Sequence, residues 1–234
     1  MDVVKVWENI KTKCQDLVCL GETIVSHLDP TFDIDNFRKY DTTVSVVNDD
    51  TLDVALEHPN SLLLNMANPQ TPGGYLQTIG AQEEDLFRRT DLHKYLDKSF
   101  YPLSNKALLS TKVRVFSFGL RQRYKLLSQE NHVDIITCAA VKNKILGNTM
   151  NPKDISIMKI KIELLYQTAI LHNYSTLILS AFGCGGFGCP PEHVSQLFKY
   201  VNNKYQGCIK NVIFAIFDDN HPHSNYDVFQ KCFS

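Results

Sequence analysis

The hydrophobic positions of this chain gather into short apolar runs separated by longer stretches of helical spacing. Thr43-Val44-Ser45-Val46-Val47, Leu62-Leu63-Leu64-Asn65-Met66, Val113-Arg114-Val115-Phe116, Val133-Asp134-Ile135-Ile136-Thr137, Leu177-Ile178-Leu179-Ser180 and Val212-Ile213-Phe214-Ala215-Ile216-Phe217 each predict a strand. Several are continuous rather than alternating, as in strands covered by helices on both faces. Asn151-Pro152 opens the clearest helix, with Ile155, Met158, Ile162, Leu165 and Ala169 recurring along one side. Asn48-Asp49-Asp50 can cap a helix running from about Thr51 to Glu57. Ahead of these, Val6, Ile10, Cys14, Val18 and Ile24 suggest one or two helices up to about Leu28. The expectation is an α/β chain built on a mixed sheet of about six strands.

No repeat or low-complexity linker divides the chain, so one domain is expected, and Arg121-Gln122-Arg123-Tyr124-Lys125 reads as a solvated turn. The 44% hydrophobic and 21% charged residues are ordinary for a folded domain. A formal charge of -1 gives no basic field for nucleic acid or an anionic membrane. The first residues lack the order of a signal peptide, and no apolar run is long enough to span a bilayer, which predicts a soluble protein of a reducing intracellular compartment, cytoplasm or nucleus. The seven cysteines have neither the spacing of a zinc site nor that of a redox pair, and read as reduced thiols.

Ligands of such sheets bind beyond the carboxyl ends of the strands, and two loops there are rich in glycine. The first runs from Asn65-Met66-Ala67-Asn68 through Pro72-Gly73-Gly74 to Gln82-Glu83-Glu84 at the start of a helix. Its glycines allow close approach of backbone N–H groups to an anion or a sugar. Acidic residues in a first helical turn also occur simply because they suit the helix dipole, and two successive residues point about 100° apart, so one of the pair is expected to face a given bond. The second loop, Gly183-Cys184-Gly185-Gly186-Phe187-Gly188, lies between a strand and a helix and can wrap a diphosphate with backbone donors. Phe187 among glycines reads as a ligand-stacking ring rather than core. Gly-Lys-Ser/Thr is absent, which argues against a P-loop, and the late position of the motif argues against a dinucleotide fingerprint. Cys184 and Cys189 read as small loop residues, not nucleophiles.

Together these motifs resemble the poly(ADP-ribose) glycohydrolases of the bacterial or microbial type: a glycine triplet, a short spacer and Gln-Glu-Glu, followed by a Gly-rich diphosphate loop. The similarity runs from about Thr43 to Phe233. It implies a macrodomain-like, three-layer α/β/α catalytic domain over residues 41–234 and a helical extension over 1–40. It further implies hydrolysis of the ribose–ribose O-glycosidic bond of poly(ADP-ribose), with Glu84 as general acid and base and Glu83 holding ribose hydroxyls and raising the Glu84 pKa. Asn65, Asn68, Gly73, Gly74, Gln82, Gly183, Cys184, Gly185, Gly186, Phe187 and Gly188 are then the substrate-binding residues. Poly(ADP-ribose), ADP-ribosylated proteins and the product ADP-ribose are the implied partners of a monomer that needs no cofactor or metal. Asp218, Asp219, His221 and His223 read as a solvated turn rather than a metal site. Pro72 stands where the first glycine of the triplet is expected, which removes an N–H and fixes φ. Two other activities stay open on the sequence: an ADP-ribose reader without turnover, and a hydrolase of mono-ADP-ribosyl or O-acetyl-ADP-ribose esters. A more remote third is an RNA-binding or scaffolding domain.

Overall fold

The computed structural model describes residues 2–74, 81–144, 148–217 and 224–234. Among these described residues seven strands are present: β1 (Thr23–Ser26), β2 (Thr43–Val47), β3 (Ser61–Met66), β4 (Ala107–Ser117), β5 (Leu126–Cys138), β6 (Thr176–Leu179) and β7 (Asn211–Ala215). The described residues also form the α-helices α1 (Val3–Lys13), α2 (Thr51–Glu57), α3 (Gln82–Arg89), α4 (Pro152–Leu171), α5 (Pro191–Lys204) and α6 (Asn225–Phe233). The strands form a single sheet in the order β1-β4-β5-β3-β6-β7-β2. From β5 to β2 it is parallel, and β4 and β1 join antiparallel at one edge.

Both faces of the sheet are covered, and the strand sequences show why. On β3, Leu62 and Leu64 belong to one core while Leu63 belongs to the other; on β6, Leu177 and Leu179 are separated in the same way from Ile178. Successive side chains of a strand point to opposite faces, so an unbroken apolar run feeds two cores at once. Met158, Ile162 and Leu165 of α4, Val194 and Phe198 of α5 and Phe229 of α6 fill the first core. Leu52, Val54 and Ala55 of α2 with Leu86 and Phe87 of α3 fill the second. The result is a three-layer α/β/α arrangement. Among the described residues no helix is long and apolar enough to cross a membrane, and all seven cysteines are unpaired.

The expected caps are in place. Asp50 accepts hydrogen bonds from the N–H groups of Leu52 and Asp53 at the start of α2, and Asn151 accepts from Asp154 at the start of α4.

Three expectations change. Residues 1–40 are not a helical extension alone: Ile24, read as helical, lies in β1, which pairs with β4 from Thr23↔Ser110 to Ser26↔Ala107. Four residues are too few to show a period of two against the helical spacing before them. Among the described residues the sheet therefore has seven strands where about six were expected, and the mixed α/β class holds. The segment 121–125 is not wholly solvated, because Tyr124 is buried and donates its hydroxyl hydrogen to Asp85 Oδ1 at 2.6 Å.

A fully buried arginine locks α2, α3 and β4 together. Arg89 donates to Asp50 Oδ1 at 2.5 Å, to Asp85 Oδ2 at 3.1 Å, to Asp53, and through Nε to the Ser117 carbonyl at 3.2 Å. Burial disfavours its charge, but the three carboxylates outweigh this and hold its pKa above the ordinary arginine value. Replacing Arg89 with Met leaves these carboxylates without their cation, and urea denaturation should show a loss of about 3 kcal/mol. A loss below about 0.5 kcal/mol would show that the cluster is not a fastening.

Candidate functional site

The carboxyl ends of β3, β5, β6 and β7 lie side by side in the sheet, and the two Gly-rich loops leave from β3 and β6. The loop after β3 is tied down by the first residues of α3. Gln82 accepts from the Met66 N–H at 2.8 Å and donates to the Leu64 carbonyl at 2.6 Å and to Thr51 Oγ1 at 3.0 Å. Both ends of its amide are thus engaged by protein, which makes Gln82 a joint between β3, α2 and α3.

Glu83 is almost fully buried, at 3% exposure. Its Oε2 accepts the Asn68 N–H at 2.7 Å, and the Gly73 N–H and the Asn65 amide lie beside the carboxyl. Burial pushes the Glu83 pKa up to about 7; the Asn68 and Gly73 N–H groups oppose the rise and the Glu84 charge adds to it. Burial therefore moves Glu83 upward, where the sequence reading has Glu83 raising Glu84. Asn65 is itself fully enclosed and donates to Thr137 Oγ1 at 3.2 Å, so it sits beneath the glutamates rather than on a pocket wall. The Asn68 side-chain oxygen accepts from the N–H groups of Gln70 and Thr71, bending the chain toward Pro72.

The two glycines then cross α3. Gly73 has φ +77°, and a Cβ there would meet Phe87 Cε1 at 2.7 Å. Gly74 has φ +48°, and a Cβ would meet Glu84 Oε1 at 2.5 Å and Glu83 Oε2 at 3.4 Å. Positive φ and the missing side chain are both required here. The two carboxylates, expected to diverge by about 100°, thus both reach Gly74. Glu84, 7% exposed, stands at this junction.

The second loop presents donors differently from the sequence reading. Cys184 N–H bonds to the Ala181 carbonyl, Gly188 to Gly185 and Cys189 to Gly183, so these are spent on the turn itself. Gly185, Gly186 and Phe187 keep N–H groups without a hydrogen-bond partner among the described residues. A Cβ at Gly185, Gly186 or Gly188 would touch nothing within 4 Å, whereas one at Gly183 would meet Ala140 Cβ at 2.9 Å. Gly183 is therefore a packing glycine, and Gly185 and Gly186 face open space. The Phe187 ring, expected to stack on a ligand, is half-buried against the first core and half open. Asn143, from the loop after β5, donates to the Phe187 carbonyl through its N–H and to the Gly188 carbonyl through its amide, drawing the loop inward. Burial pushes the Cys184 and Cys189 thiols up, away from thiolate chemistry.

Sequence reasoning missed Phe217, half exposed just beyond β7, with the Arg121 guanidinium 4.3 Å above its ring. Arg121 also reaches Asn48 and Asp49 after β2. Only the nearness of a basic turn to a strand end in the folded chain reveals this pair. The expected turn at Asp218, Asp219, His221 and His223 lies outside the described residues. Among the described residues no cluster of three or more His, Cys, Asp or Glu is placed to hold a metal ion.

The Glu83 carboxyl gives a pH signature. Its folded pKa of about 7 lies above the ordinary 4.5, so protonation favours the fold; this stability is fully present below about pH 4.5 and is lost as pH rises through 7. Glu83→Gln, which cannot ionise, should melt above the wild type at pH 8, by up to about 3 kcal/mol, with the gap closing by about pH 5. A gap that does not change with pH would remove the raised pKa from the account.

The family model of the microbial-type PARG catalytic domain matches residues 9–120. Among solved structures, the poly(ADP-ribose) glycohydrolase of Deinococcus radiodurans in complex with ADP-ribose is 25% identical, with 85% of this chain and 87% of that chain covered at a TM-score of 0.75. A second structure of that complex reaches a TM-score of 0.80 at 24% identity, with 91% and 94% covered. The Thermomonospora curvata enzyme bound to the inhibitor ADP-HPD is 21% identical, with 98% and 87% covered and a TM-score of 0.73; at that identity the likeness is one of fold. Comparison with the curated proteins finds no match. The chain thus carries the microbial-type PARG catalytic-domain pattern over residues 9–120 and, over nearly its whole length, has the fold of the bacterial poly(ADP-ribose) glycohydrolases.

Proposed function

We propose that this protein hydrolyses the ribose–ribose O-glycosidic bonds of poly(ADP-ribose) and releases ADP-ribose. The observation that carries the reading is the junction at Gly74, where two buried carboxylates meet a loop held open by glycine. The family match and the ADP-ribose bound to the Deinococcus relative support it.

In this reading Gly185, Gly186 and Phe187 donate their N–H groups to the diphosphate. Phe217, under Arg121, offers an aromatic face at the same edge of the sheet. The distal ribose lies over Gly73 and Gly74, with Asn68 orienting it. A protonated Glu84 gives its proton to the leaving ribose oxygen as the bond to the anomeric carbon breaks. The resulting carboxylate then takes a proton from the water that attacks that carbon. Glu83 is the orienting partner: its Oε2 is held by backbone, and its Oε1 has no hydrogen-bond partner among the described residues. With a pKa of about 7 it carries a proton part of the time and can donate to a ribose hydroxyl. Asn65 and Gln82 support from beneath.

Pro72 favours a second reading, an ADP-ribose reader without turnover, because it removes one backbone donor from the loop. Incubation with automodified poly(ADP-ribose) separates the two. Wild type is expected to release ADP-ribose, and Glu84→Gln to lose turnover by about a thousandfold while its ADP-ribose affinity stays within about threefold. An active Glu84→Gln removes the assigned acid. Binding without release by the wild type would make the protein a reader.

A further inference from the structure

Trp7 is the only tryptophan of the chain and lies before the family match, which begins at residue 9. It stands on α1, whose dock against the body is specific. The Trp7 ring is 6.0 Å from Phe87 at 46° and 5.0 Å from His93, edge to face at 88°. Lys94, the next residue after His93, donates to the Cys14 carbonyl at 2.7 Å and to that of Leu17, closing the end of α1.

Phe87 is the link to the site. It is 3% exposed, and its ring occupies the space where a Cβ of Gly73 would be. Gly73 in turn supplies an N–H to the Glu83 carboxyl and precedes the glycine against Glu84. A chain of contacts therefore runs Trp7, Phe87, Gly73, Glu83. We infer that Trp7 is a positioning residue of the Gly73–Gly74 loop: α1 fixes the Phe87 ring, and the ring fixes the height of the loop over the carboxylates. The His93 ring suits this role, since burial, then Lys94 and Lys11, lower its pKa to about 4 and keep it an uncharged edge against the indole. The consequence for turnover rests on the proposed glycohydrolase reading; the consequence for the loop does not.

The test joins a structural readout to a kinetic one. Hydrogen exchange in ligand-free protein is compared for wild type, Trp7→Ala and Trp7→Phe, over residues 67–74 and over the β6–β7 core. Trp7→Ala should speed exchange in 67–74 by about tenfold and leave the core within about twofold, with Trp7→Phe close to wild type. Trp7→Leu, which keeps apolar volume without the ring, carries the same comparison if the alanine variant does not fold. On poly(ADP-ribose), Trp7→Ala should lose about tenfold in kcat, largely restored in Trp7→Phe. Saturating ADP-ribose should shift the Trp7 emission of the wild type. Unchanged exchange in 67–74 for both Trp7→Ala and Trp7→Leu overturns the inference even if the enzyme is active. Faster exchange in a protein whose wild type neither cleaves polymer nor binds ADP-ribose upholds it and overturns the glycohydrolase reading instead.

Discussion

The site depends on one buried carboxyl. Glu83 sits where water does not reach, and the backbone of the loop it supports holds it through the N–H groups of Asn68 and Gly73, while Oε1 keeps no partner among the described residues. A carboxylate in such a place must be hydrogen-bonded or neutralised. Here both happen in part: two N–H groups hold it, and its pKa still climbs to about 7. The loop and the helix therefore specify each other. Moving the loop would orphan the carboxyl, and moving the helix would leave the loop without its anchor.

From this constraint the rest of the edge follows. Gln82, the residue before Glu83, fastens the same helix to the end of β3, and Arg89, on its last turn, fastens it to α2 and β4. Helix α3 is only eight residues long, yet it is anchored at both ends. Its acidic first turn and basic last turn also suit its dipole. Across the edge, Pro190 and Pro191 begin α5 and bring no N–H groups. On that side the glycine loop is what offers backbone donors, since Gly185, Gly186 and Phe187 keep N–H groups without a partner among the described residues. One wall of the site is acidic side chain and the other is backbone N–H, a polarity suited to a ligand with a sugar at one end and phosphate in the middle.

Much of the fold was legible in the chain because its strands are fully buried. Leu62-Leu63-Leu64 and Leu177-Ile178-Leu179 have no polar face to confuse with a loop, and Asp50 and Asn151 are strong caps. The strand β1 was not legible, since four residues at a sheet edge carry no clear alternation. At the site, Gly73, Gly74 and the glutamate pair stood out by spacing. Which glutamate burial would shift did not, because depth is a property of the packed loop. The partial burial of Phe187 was not legible for a related reason: its sequence neighbours offer nothing to pack against, but Asn143, more than forty residues away, pulls its loop onto the core. Tyr124 and Phe217 likewise gained their roles only from partners distant in sequence, Asp85 and Arg121.

The central claim is that the loop carried by Glu83 is the ribose side of an ADP-ribose site, and calorimetric titration of ADP-ribose into wild type and Gly73→Ala tests it most directly. The added methyl group would press on the buried Phe87 ring at a φ that L residues rarely adopt, so the loop must shift. The account predicts saturable binding to one site in the wild type and a loss of affinity of at least about tenfold in the folded variant. Equal affinity in the two proteins would contradict it.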